Sequence, residues 1–280
     1  MKKLYVFGIM LLGLIFQNQI QAQDSNACMQ DLSIFAEYVK VKNYASAMEP
    51  WTRVRQSCPD LNAAIYTYGE RILKHYIKNG TPEEVDASKK DLIQLYDEWV
   101  QYFPAKKNKS SVGDVLSRKA QALLDYKIAD LKVVYTTFDE AYTKDAKSFT
   151  NPKHLYNYFK TLYDRYKAGD SEVSMEMLFN KYEEVSEKFE IETTELAKKL
   201  DVILKKEDEG NALTSKEQRR KRVYNINSKA IGTFLSNLDA IIAKEATCEN
   251  LIPLYKRNFD ENKGDSVWLK SSGVSQVGYY

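Results

Sequence analysis

Histidine and cysteine, the residues that most often do chemistry, are scarce in this chain. Two histidines, His75 and His154, and three cysteines occur in 280 residues. The histidines lie on separate helical stretches, too few for a usual metal centre without cysteine help, and read as surface or packing residues. No GxSxG elbow, HExxH pair, GxxxxGK phosphate loop or EF-hand loop occurs. Carboxylate pairs such as Glu183-Glu184 are common, but on charged helix faces they carry no specificity. The expectation is a protein that is not an enzyme and holds neither cofactor nor metal. An excess of one charge is also missing, with 41 basic residues against 39 acidic ones. Nucleic-acid and membrane-surface binding both depend on a basic excess, so neither is expected. No stretch reads as a strand.

What is present begins with a leader. Lys2 and Lys3 precede the apolar run Leu4 to Phe16, and a polar stretch leads to Ala22, the pattern of a signal peptide over 1–22. The run of 13 residues is shorter than the roughly 17 to 25 of a membrane-spanning helix. Cys28 follows Ser25-Asn26-Ala27 well beyond that run, a poor match to a lipid-attachment box. Export to the periplasm, the cell envelope or the exterior is expected, without membrane insertion after cleavage. Removing residues 1–22 takes away two basic groups and no acidic ones, leaving 39 against 39.

Helix punctuation recurs along the rest of the chain. Thr81-Pro82-Glu83-Glu84 forms a capping box with proline in the first turn, and Pro104 stops the helix so begun. Asn151-Pro152 opens another, with Leu155, Phe159, Leu162 and Tyr166 on one face and Gly169 at its end. Tyr156, Tyr158 and Tyr163 fall partly off that stripe and are candidates for lining a groove. PAKKNKSS, residues 104–111, is a polar connection and the first candidate boundary. Beyond Ser171, Leu178, Tyr182, Val185, Phe189, Leu196 and Ile203 lie near a four-and-three spacing. Val223, Asn227, Ala230, Phe234 and Ile241 do likewise. Gly210 ends the first of these helices, and Thr214 with Glu217 caps the second. They read as a long antiparallel hairpin with arms of about 50 Å, or as shorter broken helices.

Near the start, residues 35–59 read FAEYVKVKNYASAMEPWTRVRQSCP, with Tyr38, Tyr44, Ala47, Trp51 and Pro59 at intervals of six, three, four and eight. Tyr44, Ala47 and Trp51 share one face of a second helix, with the small residue where the first helix must come close. The pattern resembles the tetratricopeptide (TPR) repeat; the plainer alternative is any antiparallel helix pair with an aromatic core. Residues 54–104 look like a second, enlarged repeat, with Tyr68-Gly69 in the place of the usual apolar-glycine pair and a long loop from Tyr76 to Thr81. The hairpin sets Cys28 near Cys58, a candidate disulfide; a pairing with Cys248, or no bond, are the alternatives.

Three further segments, AAIYTYGERILKH (63–75), TNPKHLYNYFKTLYDRYKAGD (150–170) and TCENLIPLYKRNFDENKGDSVWLK (247–270), are similar to an uncharacterised family of secreted TPR proteins of Bacteroidota. The resemblance implies an all-helical envelope scaffold and supplies no catalytic residues. The expected fold is all-α, with TPR-like hairpins stacked as an α-solenoid over 23–104, a helical middle segment over 105–170, the long hairpin over 171–246 and an incomplete repeat and tail over 247–280. The expected function is non-catalytic binding of a protein or peptide. A glycan-binding accessory of the envelope and a structural subunit of an envelope secretion or motility machine are the alternatives. Arg219, Arg220, Lys221 and Arg222 form the densest basic patch. It reads either as a docking site or as a solvated face paired with Glu183, Glu187, Glu190 and Glu195 across the hairpin. In the last segment Cys248 has no counterpart to pair with, 271–280 shows no helical period, and Leu254 and Trp268 mark an apolar edge for docking or self-association.

Overall fold

A computed structural model describes residues 26–104, 111–252, 256 and 260. Residues 1–22, expected to be a leader, Leu254, Trp268 and residues 271–280 lie outside the described residues, as does most of the 104–111 connection. The fold is all-α, and no strand occurs among the described residues. Residues 26–40 form α1. There follow α2 (Tyr44–Ser57), α3 (Ala64–Asn79), α4 (Pro82–Tyr102), α5 (Val112–Asp125), α6 (Leu131–Asp145), α7 (Pro152–Lys167), α8 (Met175–Asp208) and α9 (Ser215–Glu245). A further helix opens at 248. The chain divides into two compact units, Met1–Phe149 and Thr150–Tyr280. The division falls inside the stretch 105–170 that the sequence presents as one segment.

In the first unit successive helices pack on one another as hairpins, in the order of a helical-repeat solenoid. α1 buries Cys28, Leu32, Phe35 and Val39, a four-three-four spacing that keeps them on one stripe. Tyr38 falls outside that stripe and is 37% exposed, so the buried ring of α1 is Phe35 and not the tyrosine of the repeat pattern. Lys42, at φ +62°, turns the chain, and Asn43 caps α2 by accepting from the Ser46 amide. Cys28 and Cys58 are joined by a disulfide across Cα atoms 6.3 Å apart, tying the open end of the α1–α2 hairpin. Closing a loop of 30 residues stabilises the fold by about 3–4 kcal/mol in the chain-entropy account.

Trp51 joins the first hairpin to the second. Its ring is buried, its Nε1 donates to the Ile65 carbonyl at 2.9 Å, and it lies directly on Gly69. A Cβ at Gly69 would stand 2.7 Å from the indole ring. Glycine here serves close approach and not a special φ, as the apolar-glycine pair of the sequence implies. The long loop expected from Tyr76 to Thr81 is absent, because α3 runs on to Asn79 and only Gly80 and Thr81 separate it from α4. Nothing between Tyr76 and Asn79 breaks a helix, so the added residues lengthen α3. Thr81 and Glu84 make both bonds of the expected capping box.

One carboxylate ties α3, α4 and α5 together. Glu70 is buried; it accepts from the Tyr96 hydroxyl at 3.0 Å and from Arg118 Nη1 at 3.2 Å, and pairs with Lys74. Burial opposes its charge, but Lys74, Arg118 and Tyr96 together outweigh that and hold the carboxyl below its ordinary value of 4.5. At the far end of the unit, Gly113 and Asp114 at the start of α5 donate to the Asp145 and Ser148 side chains, so the end of α6 caps α5 from outside.

In the second unit α7 packs on both α8 and α9. Two neighbours widen its buried arc: Leu155, Phe159 and Leu162 are joined by Tyr158, fully buried and not groove-lining. Tyr156 stacks on Phe234, and Tyr163 stacks on Phe159 and donates to Glu245. The long hairpin is present as two unbroken helices. Gly210 turns at φ +78°, and Thr214 with Glu217 caps α9.

Two measurements check this packing. Gly69→Ala is expected to destabilise by about 1–3 kcal/mol through overpacking against Trp51, whereas an open helical glycine would gain about 1 kcal/mol from the same change; urea unfolding reads the sign. A folded-state pKa below the unfolded one makes Glu70 stabilising above about pH 4.5 and progressively less so as pH falls through the folded value. Glu70→Gln should therefore be less stable at neutral pH and show a flatter acid limb in melts between pH 5 and about 2.

Candidate partner-binding surface

α7 reaches only one end of the long hairpin. Its contacts fall on Tyr182 of α8 and on Phe234 and Glu245 of α9. With 16 residues against 34 in α8, at about 1.5 Å per residue, it covers about half the length of the pair. Beyond it, among the described residues, the two arms have only each other. After Phe189, α8 buries only Ile203, and α9 buries nothing before Ile231. A normal helix hidden on one face would send its apolar residues inward. Here Val202 is 61% exposed, Ile226 58% and Val223 43%.

Val223 marks a difference from the sequence reading. Of the stripe Val223, Asn227, Ala230, Phe234, Ile241 only Val223 is exposed; the other four are half-buried and flank Ile231, Leu238 and Ile242, which face the core. α9 also carries apolar residues, Val223 and Ile226, outside that buried side.

Charge at the turn is partly consumed and partly open. Lys206 pairs with Glu217, and Lys221 pairs with Glu207. The Lys206 hydrogen bond, with those from Thr214, pulls the Glu217 carboxyl down to about 2. The basic patch is thus not opposed by Glu183, Glu187, Glu190 and Glu195. An antiparallel register sets residues near the turn against each other, and Glu195 instead pairs along its own helix with Lys198. Arg219, Arg220 and Arg222 are exposed and make no ion pair among the described residues. Elsewhere Arg53, Arg55, Arg118 and Arg165 each hold two carboxylates. An open groove of about 810 Å³ runs along this side of the turn, with Ala212, Leu213 and Ile226 as its apolar lining and Arg222, Asn225 and Lys229 among its polar groups.

Most of the other described residues singled out by sequence are structural. Ala47 and Trp51 are buried, Tyr44 stacks on His75, and the Pro59 carbonyl accepts from Tyr66. His154 is buried near the start of α7. Cys248 is a free, exposed thiol. Among the described residues no three His, Cys, Asp or Glu side chains gather as metal ligands, and no helix is long and apolar enough to cross a membrane. A second groove, between α2 and α4, is lined by Arg55, Asp91 and Glu98, which already pair with one another. Comparison with models of protein families, with curated proteins and with solved structures gave no match.

Exposed charges contribute little to stability. Reversing Arg219, Arg220 and Arg222 together is therefore expected to leave the melting temperature within about 3 °C of the parent, read by circular dichroism; a fall of more than about 8 °C, several kcal/mol in a domain of this size, would make the patch structural.

Proposed function

We propose that the protein is an exported, non-catalytic scaffold of TPR-like build that binds a protein or peptide partner, with the far half of the α8–α9 hairpin as its contact arm. The observation that carries this reading is the exposure of Val202, Val223 and Ile226 on a helix pair that buries only Ile203 in the same region. Apolar side chains cost about 25 cal/mol per Å² left in water, and three exposed toward the turn end of one helix pair support an interaction surface there. The leader at 1–22 and the Cys28–Cys58 disulfide support residence in an oxidising compartment such as the periplasm. The resemblance to secreted TPR proteins of Bacteroidota supports the same placement. The near balance of charge supports a protein partner over nucleic acid.

The tyrosines that might have stacked on sugar are engaged within the second unit, so the binding reading is preferred to the glycan one. A subunit of an envelope machine is a special case of the proposal, in which the arm is a permanent contact.

The test is a photoreactive side chain placed in turn at Val202, at Ile226 and at exposed Lys78 of the first unit, irradiated in native cells. Discrete protein adducts from the two arm positions are expected. Adducts from Lys78 alone, or none from the arm, would overturn the reading.

A further inference from the structure

We propose that the groove at the α8–α9 turn docks an acidic amphipathic helix of the partner, its apolar residues on Leu213 and Ile226 and its carboxylates on Arg222 and Lys229. This rests on the partner-binding reading and gives it a chemistry. Three observations lead to it.

The first is the stripe on α9. Arg219, Arg222, Ile226 and Lys229 recur at intervals of three, four and three, which places them on one face. That face is opposite the side carrying Tyr224, Ile231 and Leu238, whose exposures are intermediate to buried. A stripe with an apolar centre and cations before and after it is complementary to a helix with an apolar stripe flanked by acids.

The second is how the molecule treats four of its other arginines, a fifth, Arg71, being exposed and lying over the Tyr68 ring. Arg53, Arg55, Arg118 and Arg165 are each neutralised by two carboxylates from the same chain. Arg219 and Arg222 have no such partner among the described residues. A guanidinium that none of the described residues engages is suited to bidentate pairing with a carboxylate supplied from outside.

The third is what covers this helix pair elsewhere. At its other end a third helix, α7, packs on both arms, burying Leu155, Tyr158, Phe159 and Leu162, and its Lys167 pairs with Glu245 of α9. The turn end lacks a third helix among the described residues and keeps Ile226 in water. A helix is therefore the occupant, and the cations select an acidic one. Glu207 also lines the groove, but its charge is taken up by Lys221, which leaves Arg222 and Lys229 as the cations open to an occupant.

The probe is a fluorescein-labelled, 18-residue helical peptide with leucine on one face and glutamate on its flanks, titrated against the purified protein by fluorescence anisotropy. Its controls are the same peptide with lysine for glutamate and a scrambled acidic peptide. The acidic helix is expected to bind at least 10-fold more tightly than either control, and to weaken further as salt rises from 50 to 300 mM. Arg222→Glu with Lys229→Glu should reverse the preference, so that the lysine peptide binds better; a gain of binding cannot come from misfolding. Ile226→Ser should weaken both variants' peptides about equally. No binding of the acidic helix up to 0.5 mM, equal binding of the scrambled peptide, or an unchanged preference in the double variant would overturn the proposal. So would association with vesicles containing 30% phosphatidylserine in the absence of peptide binding, or a double variant whose only change is lost self-association in sedimentation. If the arm still crosslinks to a protein in cells while the acidic preference fails, the partner-binding reading stands and only its chemistry falls.

Discussion

The contact between the Trp51 ring and the backbone at Gly69 sets how closely α2 and α3 approach. The stack of the first unit depends on that distance. It brings α3 in with Ile65, Tyr66, Ile72 and Leu73 fully or nearly buried, and these residues form the surface on which α4 lays Leu92, Leu95, Tyr96 and Trp99. A side chain at residue 69 would force the ring or the helix outward. The indole cannot move without losing its hydrogen bond to Ile65, and a buried N–H left without an acceptor costs about 1–3 kcal/mol. The disulfide acts upstream of this contact, holding the ends of α1 and α2 so that Trp51 is presented to α3. Glu70, next to Gly69 in the chain, acts downstream, because the helix placed by the close approach carries the carboxylate that gathers Tyr96 and Arg118.

Arginine divides the molecule between what holds it together and what faces outward. Arg55 shows the first use. It pairs with Asp91 and Glu98 on α4, lies over the Trp51 ring at 5.0 Å, and is largely withdrawn from solvent. Burial opposes its charge, and the two carboxylates more than offset that, so it stays charged over the whole working range of pH. Its role is to fix α4 against α2. The arginines of α9 sit on a helix pair that needs little fixing, since capping by Thr214 and the Lys206–Glu217 and Lys221–Glu207 pairs already close the turn. Charge beyond what the fold uses is available for recognition.

Much of this architecture was legible in the sequence because its signals are local. Capping at Thr81 and Thr214 needs only residues three apart, and the end of α8 needs only a glycine able to turn at positive φ. The Cys28–Cys58 proximity follows from two helices of similar length running antiparallel. What could not be read depended on partners distant in the chain. Tyr158 is buried because α7 has two neighbours and not one, which its own periodicity does not record. The basic patch of α9 meets Glu207 and not the acids at 183–195, because pairing across a hairpin is set by the position of its turn. The added turn of α3 reads as loop in the sequence because polar residues before Gly80 look like a connection, although they contain no breaker.

The exposure of Val223 at the head of the α9 stripe has a different cause, and it bears on function. Apolar periodicity identifies the buried face only if burial in the chain's own core is the sole reason for an apolar residue to be there. Ile231, Leu238 and Ile242 satisfy that condition, whereas Val223 and Ile226 do not. A helix selected for folding alone would carry polar residues at those two positions, as exposed isoleucine and valine add neither helix propensity nor solubility. Two overlapping apolar patterns on one helix are what results when one face answers to the chain itself and another to something outside it. Val223 and Ile226, exposed on a helix whose remaining stripe is half-buried, therefore support the proposal made here that a partner is met on the outer side of the hairpin turn.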